Sequence, residues 1–229
     1  MPKERPPDLS LFLDILRTLE NMSAPYMVIG AFAPHTARDF ASHTARDFAA
    51  IVYGSTRTTY DIDIVVNLDE EHLQALADAY SPPRYYADPV QMRDSIRLGI
   101  MFNIVDTSRG EKADLVPVTM NSRYQQAFQR RVRQAVELPD GEPFEIWCAR
   151  VEDVIVGKLM AWAEGGSRKH ETDIYEMMAF YYLGIDRQQG APFDQAYVDA
   201  QAETLGADVV ALWKAVKDAA GRAANQSQS

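Results

Sequence analysis

The run Tyr60-Asp61-Ile62-Asp63-Ile64-Val65-Val66 sets two carboxylates one residue apart in an otherwise apolar, β-branched stretch. Side chains alternate faces along a strand, so Asp61 and Asp63 are expected on one face, roughly 6–7 Å apart at the Cα level. At an effective dielectric near 20, like charges at that spacing repel by about 2–3 kcal/mol, and burial against a sheet raises both pKa values. A hard divalent cation relieves the repulsion. Mg2+ typically takes one or two protein carboxylates and completes its shell with water and substrate phosphate. The chemistry such a pair could support is metal-assisted phosphoryl transfer. For the pattern alone, an edge strand with its charged face in water is the more common case.

Further residues of the right types lie elsewhere in the chain. Asp114 stands between apolar neighbours in Glu111-Lys-Ala-Asp-Leu-Val-Pro117, a costly place for a carboxylate unless it is paired or metal-bound. Tyr26-Met-Val-Ile29 reads as a strand ending at Gly30-Ala31. A glycine between a strand and a helix lets the backbone approach a phosphate, and the helix N–H groups favour an anion. Gly54-Ser55 competes for that phosphate-turn role, with Arg57 and Thr58 following. In the C-terminal half, Lys158 and Asp173 each fit two readings. Lys158 is either a snorkelling side chain or a phosphate ligand, and Asp173 is either a first-turn helix acid or a polar group of a cleft. Arg123, Arg130, Arg131 and Arg133 make either a local basic patch or a solvated helix face.

The elements that must position these residues are legible from periodicity. Leu9, Leu11, Phe12, Ile15, Leu16 and Leu19 follow a 3.6-residue period and predict an amphipathic helix. Asn67-Leu-Asp-Glu-Glu opens a helix to about Tyr80, stopped by Ser81-Pro-Pro, and a short helix covers Pro89 to Arg97. Strands are expected over Gly99 to Asp106 and Glu111 to Pro117. A hairpin is expected from Arg133–Leu138 and Glu142–Trp147 around Pro139-Asp-Gly. From Arg150 the pattern is helical, roughly over 150–164, 168–184, 193–204 and 207–222, with a disordered tail over 225–229. His35-Thr-Ala-Arg-Asp-Phe-Ala41 recurs as His43-Thr-Ala-Arg-Asp-Phe-Ala49, a tandem repeat inserted over residues 34–49. On one helix the two copies would lie about 80° apart, so equivalent side chains would not share a stripe.

The ordered set Tyr26-Met-Val-Ile-Gly-Ala31, Tyr53-Gly54, Arg57-Thr58 and Asp61-Ile-Asp63 resembles the nucleotidyltransferase superfamily of DNA polymerase β. Within it, the set resembles the AbiEii-like branch of bacterial toxins and their relatives. Lys112-Ala-Asp114-Leu-Val-Pro117 is similar to the third-carboxylate strand. Val151 to Lys158 followed by Arg168-Lys-His-Glu-Thr-Asp173 is similar to the branch's later motifs. The resemblance implies an α+β fold: a mixed sheet flanked by helices over 1–148, followed by a helical bundle over 149–224. It also implies that Asp61, Asp63 and Asp114 hold Mg2+, in a two-metal site. Gly30, Ala31, Ser55, Arg57, Thr58 and Lys158 would contact the phosphates of a nucleoside triphosphate, and Asp173 would act near the base or the attacking hydroxyl.

The implied activity is transfer of a nucleotide to a hydroxyl acceptor, with RNA or tRNA favoured by the branch, and a cognate antitoxin as protein partner. A catalytically degenerate, antitoxin-like binding protein of the same fold is the main rival, and a helical interaction protein with merely surface carboxylates is another. Composition narrows the rest. The 229 residues are 47% hydrophobic with a net charge of −10, which argues against a broad basic surface for duplex binding. One cysteine excludes an internal disulfide, and no apolar run reaches a membrane-spanning length, so a cytoplasmic protein without a membrane role is expected.

Overall fold

In the computed structural model, which describes residues 10–29, 63–137, 143–184 and 192–227, the chain alternates helices and strands before turning helical. In order these are α1 (Ser10–Asn21), β1 (Tyr26–Ile29), β2 (Asp63–Val66), α2 (Glu70–Ala79), β3 (Tyr85–Tyr86), α3 (Pro89–Leu98), β4 (Phe102–Asp106) and β5 (Glu111–Pro117). A 3-10 turn (Val118–Met120) leads to α4 (Ser122–Arg130), β6 (Val132–Glu137) and β7 (Pro143–Cys148). The helices α5 (Val151–Gly165), α6 (Arg168–Tyr182), α7 (Gln195–Leu205) and α8 (Ala207–Ser227) complete the chain. Gly30, Ala31, Ser55, Arg57, Thr58, Asp61, the tandem repeat and the Pro139-Asp-Gly turn lie outside the described residues.

The strands form one mixed sheet in the order β3-β4-β5-β2-β1-β7-β6. β1 is antiparallel to β2 and parallel to β7, and β2 is parallel to β5, so the central strands have partners drawn from both ends of the α/β half. Tyr26, Met27 and Val28 of β1 and Ile64, Val65 and Val66 of β2 are fully buried, as expected of strands covered on both faces. The apolar face of α1 (Leu11, Phe12, Ile15, Leu16, Leu19) is buried as well. Its far end is tied to the sheet through Glu20, which accepts a hydrogen bond from Tyr26 Oη at 2.6 Å and pairs with Arg133 on β6.

Local signals set the helix ends. Asp69 caps α2, accepting from the His72 N–H at 3.0 Å while His72 Nδ1 accepts from the Asp69 N–H. Asp88 caps α3 with Pro89 in the first turn, and Gly99 ends that helix at φ 63°, where a side chain would be strained. The C-terminal helices pack through Ile174, Met177, Met178, Trp213 and Val216. Glu152, fully buried in the first turn of α5, pairs with Arg150 and accepts the Asp194 N–H at 2.8 Å, fixing α5 against the start of α7. Two expectations differ from what is observed. Helix α8 continues through Ser227, past the expected tail start at 225, because its alanine-rich end favours helix and Ala224 is buried against the bundle. The arginine stretch from Met120 to Arg133 is a 3-10 turn, a helix and the start of a strand rather than one helix.

Candidate active site

β1 ends at Ile29 directly beside Asp63, the first residue of β2. The parallel register of β2 with β5 sets Asp63 next to Asp114, and the antiparallel register of β5 with β4 sets Asp114 next to Asn103. Register partners share a face, so these three residues form a row across adjacent strands about 4.8 Å apart. Asp114 is 5% exposed, between buried Ala113 and Leu115. Its carboxylate accepts a hydrogen bond from Asn103 Nδ2 and an ion pair from Lys112 Nζ at 3.1 Å. Lys112 lies two residues earlier on the strand and therefore on the same face.

Two carboxylates held side by side repel by about 3 kcal/mol at an effective dielectric near 20, and Lys112 offsets part of this. The donor set is two carboxylates with an amide beside them. Hard oxygen ligands of that kind suit Mg2+, which needs few protein ligands when phosphate and water supply the rest. Among the described residues, no group of three or more His, Cys, Asp or Glu side chains converges, so the fit there rests on Asp63 and Asp114.

A cleft of about 370 Å3 opens beside Asp63, lined by Tyr124 on α4, Asp153, Lys158 and Glu164 on α5, and Tyr197 on α7. Burial raises the pKa of the Tyr124 hydroxyl, with the nearby Asp63 charge adding to the effect. Lys158 projects from the middle of α5, and its Nζ lies 2.5 Å from Asp173 Oδ2 on α6. The two side chains are only 14% and 17% exposed. Asp173 is absent from the cleft lining and meets it through Lys158. The structure thus brings Asp63 to Asp114, and Lys158 to Asp173, with Asp63 and Lys158 lining the same cleft.

Several residues of the site carried no expectation. His170 and Glu176 flank Asp173 at three-residue spacing on α6, a helical stripe that His-x-x-Asp-x-x-Glu spells in the sequence. Burial and then the Lys158 charge lower the His170 pKa, and burial and then Asp173 raise that of Glu176. Asp153 is 4% exposed, accepts a hydrogen bond from Tyr197 Oη at 2.8 Å and lies 3.6 Å from Arg130 Nε. Burial raises its pKa. Its sequence signal was a carboxylate directly before the apolar Val154-Ile-Val156.

The expected basic patch disperses. The Arg130 guanidinium sits 3.7 Å from the Tyr197 ring centroid, Arg131 lies over Phe128 and Trp147, and Arg133 pairs with Glu20. Aromatic faces and a carboxylate hold these three, Arg131 and Arg133 both against the Trp147 ring, and only Arg123 of the four lines the cleft.

No curated protein matches the chain. Among solved structures it is similar to an antigenic nucleotidyltransferase-like protein from Paracoccidioides brasiliensis. The identity is 16% over 90% of this chain and 91% of that one, with a TM-score of 0.45. The nucleotidyl transferase AbiEii toxin family, of the Type IV toxin–antitoxin system, matches residues 49–205, a span that includes Asp61, Asp63, Asp114, Lys158 and Asp173 and leaves out Gly30 and Ala31. Matched over more than half its length, the chain belongs to the AbiEii nucleotidyltransferase toxin family.

Proposed function

We propose that the protein transfers a nucleotide from a nucleoside triphosphate to a hydroxyl acceptor in a Mg2+-dependent reaction. The observation that carries this reading is the register that sets Asp114 beside Asp63, which lines the same cleft as Lys158. Asp63 and Asp114, with Asp61, would hold the metal ions. Bound there, Mg2+ supplies positive charge that stabilises the phosphate oxygens and the departing pyrophosphate. Lys158 turns from Asp173 to the triphosphate, acting as a point charge. The acceptor oxygen bonds to the α-phosphorus, the bond to pyrophosphate breaks, and a carboxylate at the row takes the acceptor's proton. Gly30 and Ala31, or Ser55 with Gly54, would offer backbone N–H groups to the phosphates beside Arg57 and Thr58.

The family supports a toxin role and a cognate antitoxin as partner. RNA or tRNA as the acceptor, the cytoplasm as the location, and a division into an α/β unit over 1–148 and a helical unit over 149–224 belong to the same proposal. Among the described residues no helix is long and apolar enough to cross a membrane. Incubating the protein with labelled nucleoside triphosphates, Mg2+ and cell lysate, then separating RNA from protein, tests the reading. Label on an acceptor that is lost with EDTA supports it, and no labelled acceptor with any of the four nucleotides refutes it.

A second reading, a degenerate binding protein, has one observation in its favour. Asp114 and Lys158 are each already paired within the chain, with Lys112 and Asp173. A thermal shift separates the two, because a ligand of the native state raises the melting temperature. The enzyme shifts with Mg2+ and nucleotide together, and the degenerate protein does not.

A further inference from the structure

The cleft face of α5 carries Asp153, Gly157 and Ala161 at four-residue spacing, one above another on the helix. Glycine in a helix interior is less stable than alanine, so its use calls for a reason. No neighbouring element supplies one: among the described residues, a Cβ at Gly157 would meet nothing within 4 Å. Among the described residues the helix therefore presents bare backbone to the cleft, one residue before Lys158.

Two polar atoms beside this strip are buried and lack a hydrogen bond among the described residues: Asp153 Oδ2 and Arg123 Nη1. Both residues line the cleft, and so do the aromatic side chains Tyr124 and Tyr197. The Asp153 side chain is 96% buried by its 4% exposure, its other oxygen is held by Tyr197, and Arg130 Nε at 3.6 Å is beyond hydrogen-bonding reach of Oδ2. Buried acceptors and donors are almost always satisfied, so two that lack a partner in residues lining a cleft call for one from outside the chain, a water, an ion or a ligand. One acceptor and one donor, beside a flat strip and aromatic rings, match the edge and face of a nucleobase, which presents an N–H next to a ring nitrogen or carbonyl.

We propose that this end of the cleft is the base subsite for the nucleoside triphosphate. The ring lies over Gly157, Asp153 Oδ2 accepts a hydrogen bond from a base N–H, and Arg123 donates to the adjacent acceptor. The inference rests on the nucleotidyltransferase reading and adds which residues select among nucleotides. It makes Asp153 and Arg123 specificity residues rather than catalytic ones.

The test is calorimetric binding of each of the four nucleoside triphosphates, and of inorganic tripolyphosphate, to the full chain in Mg2+. Wild type should discriminate among the four. Asp153→Asn, which keeps the size of the side chain, should lower affinity for the preferred nucleotide tenfold or more and change the order of preference, with tripolyphosphate binding unchanged. Gly157→Ala should fold, melting at or above the wild-type temperature, and Gly157→Leu should weaken all four nucleotides at least tenfold while sparing tripolyphosphate.

Wild-type nucleotide affinities in both Asp153→Asn and Gly157→Leu would overturn the subsite while leaving the transferase reading standing. Equal loss of tripolyphosphate and nucleotide binding in either variant would also overturn it, since that is damage to the phosphate end. A wild-type chain that binds neither nucleotide nor tripolyphosphate would overturn both readings.

Discussion

The Lys158–Asp173 pair gives the sharpest expectation, because stability and phosphate binding should move in opposite directions. The N–O distance of 2.5 Å corresponds to about 6–7 kcal/mol of attraction at an effective dielectric near 20. Both side chains are mostly buried, so lost hydration cancels more than half of that. Burial and then Asp173 raise the pKa of the neighbouring Glu176 carboxyl. A coupling of about 2 kcal/mol remains. Asp173→Asn and Lys158→Met should each destabilise the chain by about 2 kcal/mol, lowering the melting temperature by roughly 4–8 °C. The double variant should lose about 2 kcal/mol rather than 4. Denaturant unfolding of the four proteins measures the cycle. Calorimetry with tripolyphosphate adds the functional arm: Asp173→Asn releases Lys158, so affinity should rise severalfold as stability falls. Additive stabilities within about 0.5 kcal/mol, or weaker tripolyphosphate binding in Asp173→Asn, would refute the reasoning.

Asp61→Asn and Asp63→Asn should each abolish label transfer while far-UV circular dichroism stays native, and full activity in either would remove that carboxylate from the site. Asp106, fully buried at the end of β4, gives a pH prediction. Burial alone would raise its carboxyl, but hydrogen bonds from Ser108 and Arg84 hold it at about 2. A depressed folded pKa adds stability that is complete above the unfolded value near 4 and is lost as pH falls through about 2. Asp106→Asn should therefore be less stable than wild type at pH 6, with the gap closing between about pH 4 and pH 2 in urea melts. Deleting residues 42–49, one copy of the repeat, should leave folding and Mg2+-nucleotide binding intact and change acceptor rate or choice. Loss of nucleotide binding in that soluble deletion would make the repeat part of the site.

The sequence made individual carboxylates legible but not their company. Asp63 and Asp114 each stood out as charges in apolar strands. That they are direct neighbours follows from β2 pairing parallel with β5, a choice made by the topology of the whole sheet. Helix starts were easier, because Asp69 and Asp88 act within their own turn and need no distant partner. The arginines of α4 and β6 show the opposite case. Their number was plain, but Arg130 is held by the ring of Tyr197 on α7, far along the chain, and Arg131 by Phe128 in its own turn and by Trp147 on the next hairpin strand. Asp153 escaped notice for a related reason. An acid in the first turn of a helix is unremarkable until the fold buries its side chain and leaves one of its oxygens without a hydrogen bond among the described residues.

The placement of β1 has a consequence for how the chain is made. One edge of this strand is closed by β2, but the other waits for β7, which ends at Cys148, with Val28 and Cys148 in register. During synthesis, every nascent chain that has not yet exposed Cys148 carries an apolar strand with an open row of N–H and C=O groups. Such an edge is a template for pairing with another chain. Closing it brings together segments far apart in sequence, a slow kind of contact to form. Fragments that stop short of β7 should therefore aggregate rather than fold, and the ribosome-bound chain is most exposed to chaperones and to its own neighbours before the sheet's two halves meet.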